Sequence, residues 1–104
     1  MPDAADNSLV TLHLIVNNHP GVMSHICGLF ARRAYNLEGI LVTPISGGAT
    51  CNVWLMINED SRMDQVVRQV RKLHDILDVR VEETGKNAFE RLNACLESGS
   101  AAAV

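Results

Sequence analysis

An α+β fold is predicted here, a four-stranded antiparallel sheet with two helices packed on one face in the order βαββαβ. Two patterns carry that prediction. Stretches in which every second residue is apolar open and close the main apolar region, and two stretches between them place apolar residues at helical spacing. A Gly-Gly turn divides the apolar run between those helices into two strands.

Val10, Leu12, Leu14 and Val16 alternate with Thr11, His13, Ile15 and Asn17, the signature of a strand with one face on a core. From Val22 the period changes. Val22, Ile26, Leu29, Phe30 and Ala34 share a helical face, with Ser24, Arg32 and Arg33 off it. Ile40 to Ile45 is a β-branched second strand, and Pro44 near its end places it at a sheet edge. Ser46-Gly47-Gly48-Ala49 turns the chain into Cys51–Asn58, with Val53, Leu55 and Ile57 on one face, which makes a hairpin. Ser61 and Asp64 have the spacing of a capping box, and Met63, Val66, Val67, Val70 and Leu73 give the stripe of a second helix. Leu77, Val79 and Val81 then alternate with Asp78, Arg80 and Glu82 as a fourth strand. The result is a ferredoxin-like domain over residues 9–83. Phe89, Leu92 and Leu96 predict a short helix within 84–97, while 1–8 and the small-residue tail 98–104 read as disordered. This fold hosts many unrelated functions, so the site residues must decide.

Composition removes several classes. The 104 residues, 47% hydrophobic and 20% charged, suit one soluble domain. A net charge of −3 argues against a nucleic-acid surface, so Arg32-Arg33 and the basic residues of 68–72 read as solvated helix faces. An RNA-recognition module would also need exposed aromatics on the central strands, and only Trp54 is available. An acylphosphatase-like enzyme would need an arginine in the loop after the first strand, and that loop has none. The amino terminus does not look like a secretion signal, no apolar run approaches membrane-spanning length, and Cys27, Cys51 and Cys95 are odd in number and far apart. A cytoplasmic protein with reduced thiols is expected. His13, His19, His25 and His74 are scattered, with no metal-ligand spacing, nucleophile elbow or phosphate-binding glycine loop, so catalysis by this chain alone is not expected.

The stretch Asn17-Asn18-His19-Pro20-Gly21-Val22 joins the first strand to the first helix and is answered by Tyr35-Asn36-Leu37-Glu38. Unpaired N–H groups at a helix start attract a carboxylate, and asparagine amide oxygens accept from an ammonium group, a combination that suits a free amino acid. The bland alternative is that Asn18 caps the helix, Pro20 occupies its first turn and Asn36 ends it in a left-handed conformation.

Asn18 to Met23, the segment Gly28-Leu29-Phe30-Ala31-Arg32-Arg33-Ala34-Tyr35-Asn36-Leu37-Glu38-Gly39-Ile40, and Trp54-Leu55 together resemble the small regulatory subunits of acetohydroxyacid synthase, or acetolactate synthase, within the ACT-domain family. The resemblance spans about residues 9 to 83, and the length is similar to the short, isozyme I type of that family. It implies an ACT domain that binds valine with Asn18, His19, Pro20, Gly21, Val22 and Met23, completed across a homodimer interface by Asn36 and Leu37. Pairing of the second strand with its counterpart would give an eight-stranded sheet with two equivalent sites. Against alanine, two more buried carbons at about 0.8 kcal/mol each give roughly ten- to twenty-fold preference for valine. The resemblance also implies a catalytic large-subunit partner that this chain activates and makes sensitive to feedback. That partner would hold thiamine diphosphate, magnesium and FAD, and this chain none of them. The outer sheet face, with Ile15, Leu41, Ile45, Trp54 and Met56, is the expected docking face, unless Trp54 packs under Phe89 and Leu92. The rival reading is a free-standing ACT sensor acting on another enzyme.

Overall fold

The structure is a computed structural model that describes residues 9–82 and 85–102. The chain forms β1 (Leu9–Asn17), α1 (Val22–Arg32), β2 (Leu37–Pro44), β3 (Thr50–Asn58), α2 (Met63–Arg71), β4 (Ile76–Glu82) and α3 (Gly85–Ala102). The strands lie in the order β2-β3-β1-β4, each neighbouring pair antiparallel, so β2 and β4 are the edges. The expectation for 1–8 falls outside the described residues.

The alternation in β1 and β3 sends Val10, Leu12, Leu14 and Val16, with Val53, Leu55 and Ile57, to one face of the sheet. Val22, Ile26, Leu29 and Phe30 of α1 and Val66, Val67 and Val70 of α2 complete the core. Leu12, Leu14, Ile26, Leu55 and Ile57 are wholly buried, each a side chain whose burial stabilises by about 1.5–3 kcal/mol.

Several local expectations are corrected. Strand two begins earlier, at Leu37, and ends at Pro44, leaving Ile45 beyond it. The Ser61 capping box does not form. Arg62 is the N-cap of α2, and the neighbouring Asp60 accepts from its N–H at 2.7 Å. In β4 only Val79 is buried, beneath α2; Leu77 and Val81 are exposed. Ala34 is exposed and outside α1, at φ 52°.

That left-handed residue ends α1 in a Schellman motif. The N–H of Ala34 donates to the Ala31 carbonyl at 3.0 Å and that of Tyr35 to the Phe30 carbonyl at 2.9 Å. The accompanying apolar contact is an edge-to-face pair of Tyr35 and Phe30, with centroids 5.8 Å apart. The Tyr35 hydroxyl donates to the Asn58 carbonyl, and the Arg62 guanidinium lies 4.7 Å over the Tyr35 ring while donating to the Arg33 carbonyl at 2.7 Å. Burial, then the Asp60 charge, raises the Tyr35 phenol above its usual value, while the hydrogen bond from Arg62 holds the Asp60 carboxyl low. The exit from α1 is therefore tied to the β3–α2 connection.

α3 is longer than the short helix expected and runs to Ala102, into the segment read as a disordered tail, whose last two residues lie outside the described residues. The residues that mark that tail compositionally include alanines, which have the highest helix propensity, and Ser98 turns its hydroxyl back to the Ala94 carbonyl at 2.9 Å. α3 packs on the sheet face away from α1 and α2, against β1 and β3.

Thr11 lies on that outer face, wholly buried, and its hydroxyl has no hydrogen-bond partner among the described residues. An orphaned hydroxyl costs about 1–3 kcal/mol, and valine has the same shape without it. Thr11→Val is expected to raise stability by about 1 kcal/mol, seen as a higher denaturant midpoint with unchanged slope.

Candidate functional site

β1 delivers Asn18 to the end of the sheet, and Pro20-Gly21 turn the chain into α1. Asn18 does not cap the helix. Its Nδ2 donates to the Gly48 carbonyl at 2.8 Å, and its backbone N–H donates to Ala49 at 3.0 Å, which fastens it to the β2–β3 turn. Gly47 and Gly48, at φ 92° and 79°, make that turn in a conformation suited to glycine. The Asn18 amide oxygen has no partner among the described residues.

Gly21 is the N-cap, with no side-chain cap. Its N–H reaches His19 Nδ1 at 3.3 Å, and the Val22 N–H donates to the His19 carbonyl at 3.0 Å. The Met23 and Ser24 N–H groups have no partner among the described residues, so the start of α1 presents donors and the positive end of its dipole. Asn18, His19 and Pro20 are exposed. The side chains of Val22 and Met23 turn toward the core, and the Val22 N–H is already bonded, so of these two only Met23 offers the site a backbone donor.

Asn36 and Leu37 are not brought to this loop. They follow the far end of α1, whose 11 residues at 1.5 Å each span about 16 Å. Asn36 is exposed and donates from Nδ2 to Glu38 Oε2 at 2.8 Å, while Leu37 packs against the core. Beside it, β2 leaves Ile40 and Val42 at 45% and 43% exposure, although they face the helix side of the sheet. One chain thus carries the two groups of the expected site at opposite ends of a helix, next to an uncovered apolar edge.

The outer face holds Ile15, Leu41, Ile45, Trp54 and Met56, all half-buried. The Trp54 ring stacks on His13, with centroids 3.8 Å apart, and His13 Nε2 lies 2.8 Å from Asn52 Oδ1. An apolar cleft of about 270 Å³ is lined by Leu41 and Trp54 on the sheet and by Ala88, Phe89 and Leu92 of α3. A second cleft of about 330 Å³ lies beyond Phe89, between Gly39, Met56 and Leu96. Packing of Trp54 beneath the C-terminal segment is therefore observed, and α3 adds its exposed Leu92 and Leu96 to this surface.

Asp75 is a site neighbour that the sequence reading missed. It is 8% exposed, its carbonyl accepts the Asn17 N–H at 2.9 Å, and its carboxylate lies 3.4 Å from Asn17 Nδ2 and 3.7 Å from His19 Nδ1. A lone acidic residue before the fourth strand gave little signal, since only the β1–β4 register brings it beside Asn17.

Comparisons with known proteins show the family. A family model described as the AHAS small subunit-like ACT domain matches residues 12–78. The chain is 46% identical over 83 residues to the acetolactate synthase isozyme 1 small subunit of Escherichia coli K12, covering 80% of this chain and 86% of that one. It is 31% identical over 78 residues to the isozyme 3 small subunit of the same organism, covering 74% of this chain and 47% of that longer one. Among solved structures, the acetolactate synthase small subunit of Thermotoga maritima superimposes with a TM-score of 0.63 at 28% identity, covering 70% of this chain and 46% of that one.

Proposed function

This chain belongs to the AHAS small subunit-like ACT domain family, and from that premise we propose that it is a non-catalytic regulatory subunit that binds valine between two copies of itself. Bound to the catalytic large subunit of acetolactate synthase, it raises activity and converts valine binding into feedback inhibition. Thiamine diphosphate, magnesium and FAD belong to that partner in this reading. A coupling of about 1–3 kcal/mol between valine and the less active state is the usual size of such an effect.

The observation that carries the proposal is the division of the site. The free Met23 and Ser24 N–H groups suit the carboxylate, and the free oxygen of Asn18 suits the ammonium group. Asn36 lies beyond the far end of α1, at the opposite end of β3 from Asn18, so in this reading a second copy supplies it. The open β2 edge, with Ile40 and Val42 exposed, provides the surface for that copy. Because α3 covers Trp54, the docking surface for the catalytic subunit moves to α3 itself, with its exposed Leu92 and Leu96, and Trp54 seats that helix from beneath.

Asn36→Ala tests the division. Losing one charge-assisted hydrogen bond is expected to weaken valine binding about ten-fold, with activation of the catalytic subunit unchanged. Titration calorimetry with valine, leucine, isoleucine and alanine, on a sample sized by sedimentation, measures it. Unaltered valine affinity in this variant would remove Asn36 from the site.

A further inference from the structure

The two edges of the sheet differ in how their backbone is presented. On β4, Val79 turns its N–H and carbonyl away from β1, and both are already taken. The N–H donates to Asp78 Oδ1 at 2.9 Å, and the carbonyl accepts from Arg71 Nη2, at the end of α2, at 2.9 Å. Arg80 Nε donates to the other oxygen of Asp78 at 3.0 Å and holds that carboxylate in place. A register shift between Ile15 and Val16 also distorts the β1–β4 ladder where β4 begins. On β2, by contrast, no side chain is bonded to the outward backbone among the described residues.

The β4 edge needs such protection. Leu77 and Val81 flank Val79 at 55% and 46% exposure, which makes the strand an apolar template for another strand. We propose that Arg71 and Asp78 are edge guards: by occupying the donor and acceptor of Val79 they close β4 to a second copy of this chain and leave β2 as the sheet's pairing edge. An incoming strand must displace both side chains, and placing its own N–H and carbonyl there recovers only the bonds that were lost. The inference concerns β4 and rests on the dimer reading only for what happens at β2.

The test is the sedimenting mass of Arg71→Ala/Asp78→Ala, with circular dichroism to confirm the fold. Opening β4 is expected to about double the mass relative to the wild type at equal concentration, because β4 then pairs with β4 about a two-fold axis. If the β2 dimer is correct, the change runs from dimer to tetramer and larger assemblies. If β2 pairing fails, it runs from monomer to dimer, so the two readings fail separately. Adding Val81→Arg to the open variant is expected to restore the wild-type mass by charging the new edge. The single Asp78→Ala variant alters a part-exposed side chain, and is read the same way should the double variant not fold. A folded variant of wild-type mass, or growth that persists with Val81→Arg, overturns the proposal.

Discussion

Replacing Gly21 with aspartate is expected to weaken valine binding about a hundred- to a thousand-fold while leaving the domain folded. The backbone there has an ordinary φ of −94°, which any residue adopts. A Cβ on Gly21 would meet only His19 Nδ1 at 3.9 Å and His25 Cε1 at 4.0 Å, ordinary contact distances. The chain itself therefore tolerates a side chain. A bound carboxylate does not tolerate a second carboxylate, since like charges about 4 Å apart near a protein surface repel by roughly 4 kcal/mol. Gly21→Ala separates charge from bulk and is expected to retain much more binding. Calorimetry on both variants, with thermal melts as the control for folding, checks the result. Wild-type affinity in Gly21→Asp would mean that the effector carboxylate lies elsewhere.

The second large effect is expected on the other side of the sheet. A Cβ on Gly39 would lie 3.0 Å from Phe89 Cδ1 and Cε1, and 3.4 Å from the Met56 methyl. Gly39→Val suits a strand by propensity, so the sheet accepts it and the clash falls on α3. Overpacking costs about 1–3 kcal/mol, comparable with the 1.5–3 kcal/mol that burying a phenylalanine supplies, so Phe89 is expected to leave its seat. Trp54 is the sole tryptophan, which makes its emission a direct reporter. A red shift is expected, together with loss of acetolactate synthase activation and unchanged valine binding. An unshifted emission spectrum would show that α3 accommodates the side chain. Unchanged activation despite the shift would exclude α3 from the docking surface.

The parts of the fold that were legible are those where one physical demand dominated. Burial between sheet and helices wrote the alternation of β1 and β3, and the stripes of α1 and α2, into the chain. Where two demands compete, the residues admit two structures. Ile40, Leu41 and Val42 are all apolar, so the strand was evident but not that its helix-side residues lie uncovered. Ser61 and Asp60 both offer an oxygen near the start of α2, and the aspartate is the one used. Alanine reads as low-complexity filler or as helix, and in the C-terminal segment helix prevails. At the site, Pro20-Gly21 announced the turn because both residues constrain or free the backbone locally. Asp75, 58 positions after Asn17, is joined to it only by sheet register.

The placement of Asn18 and Asn36 at opposite ends of α1 has a consequence in mass action. If neither copy holds a whole site, effector and self-association are linked, and each molecule of valine bound draws chains together. The apparent affinity for valine then falls as the subunit is diluted, and the dimer dissociates less readily when valine is abundant. On the proposed valine-binding dimer, the cell's concentration of this subunit, and not only its concentration of valine, becomes an input to the feedback.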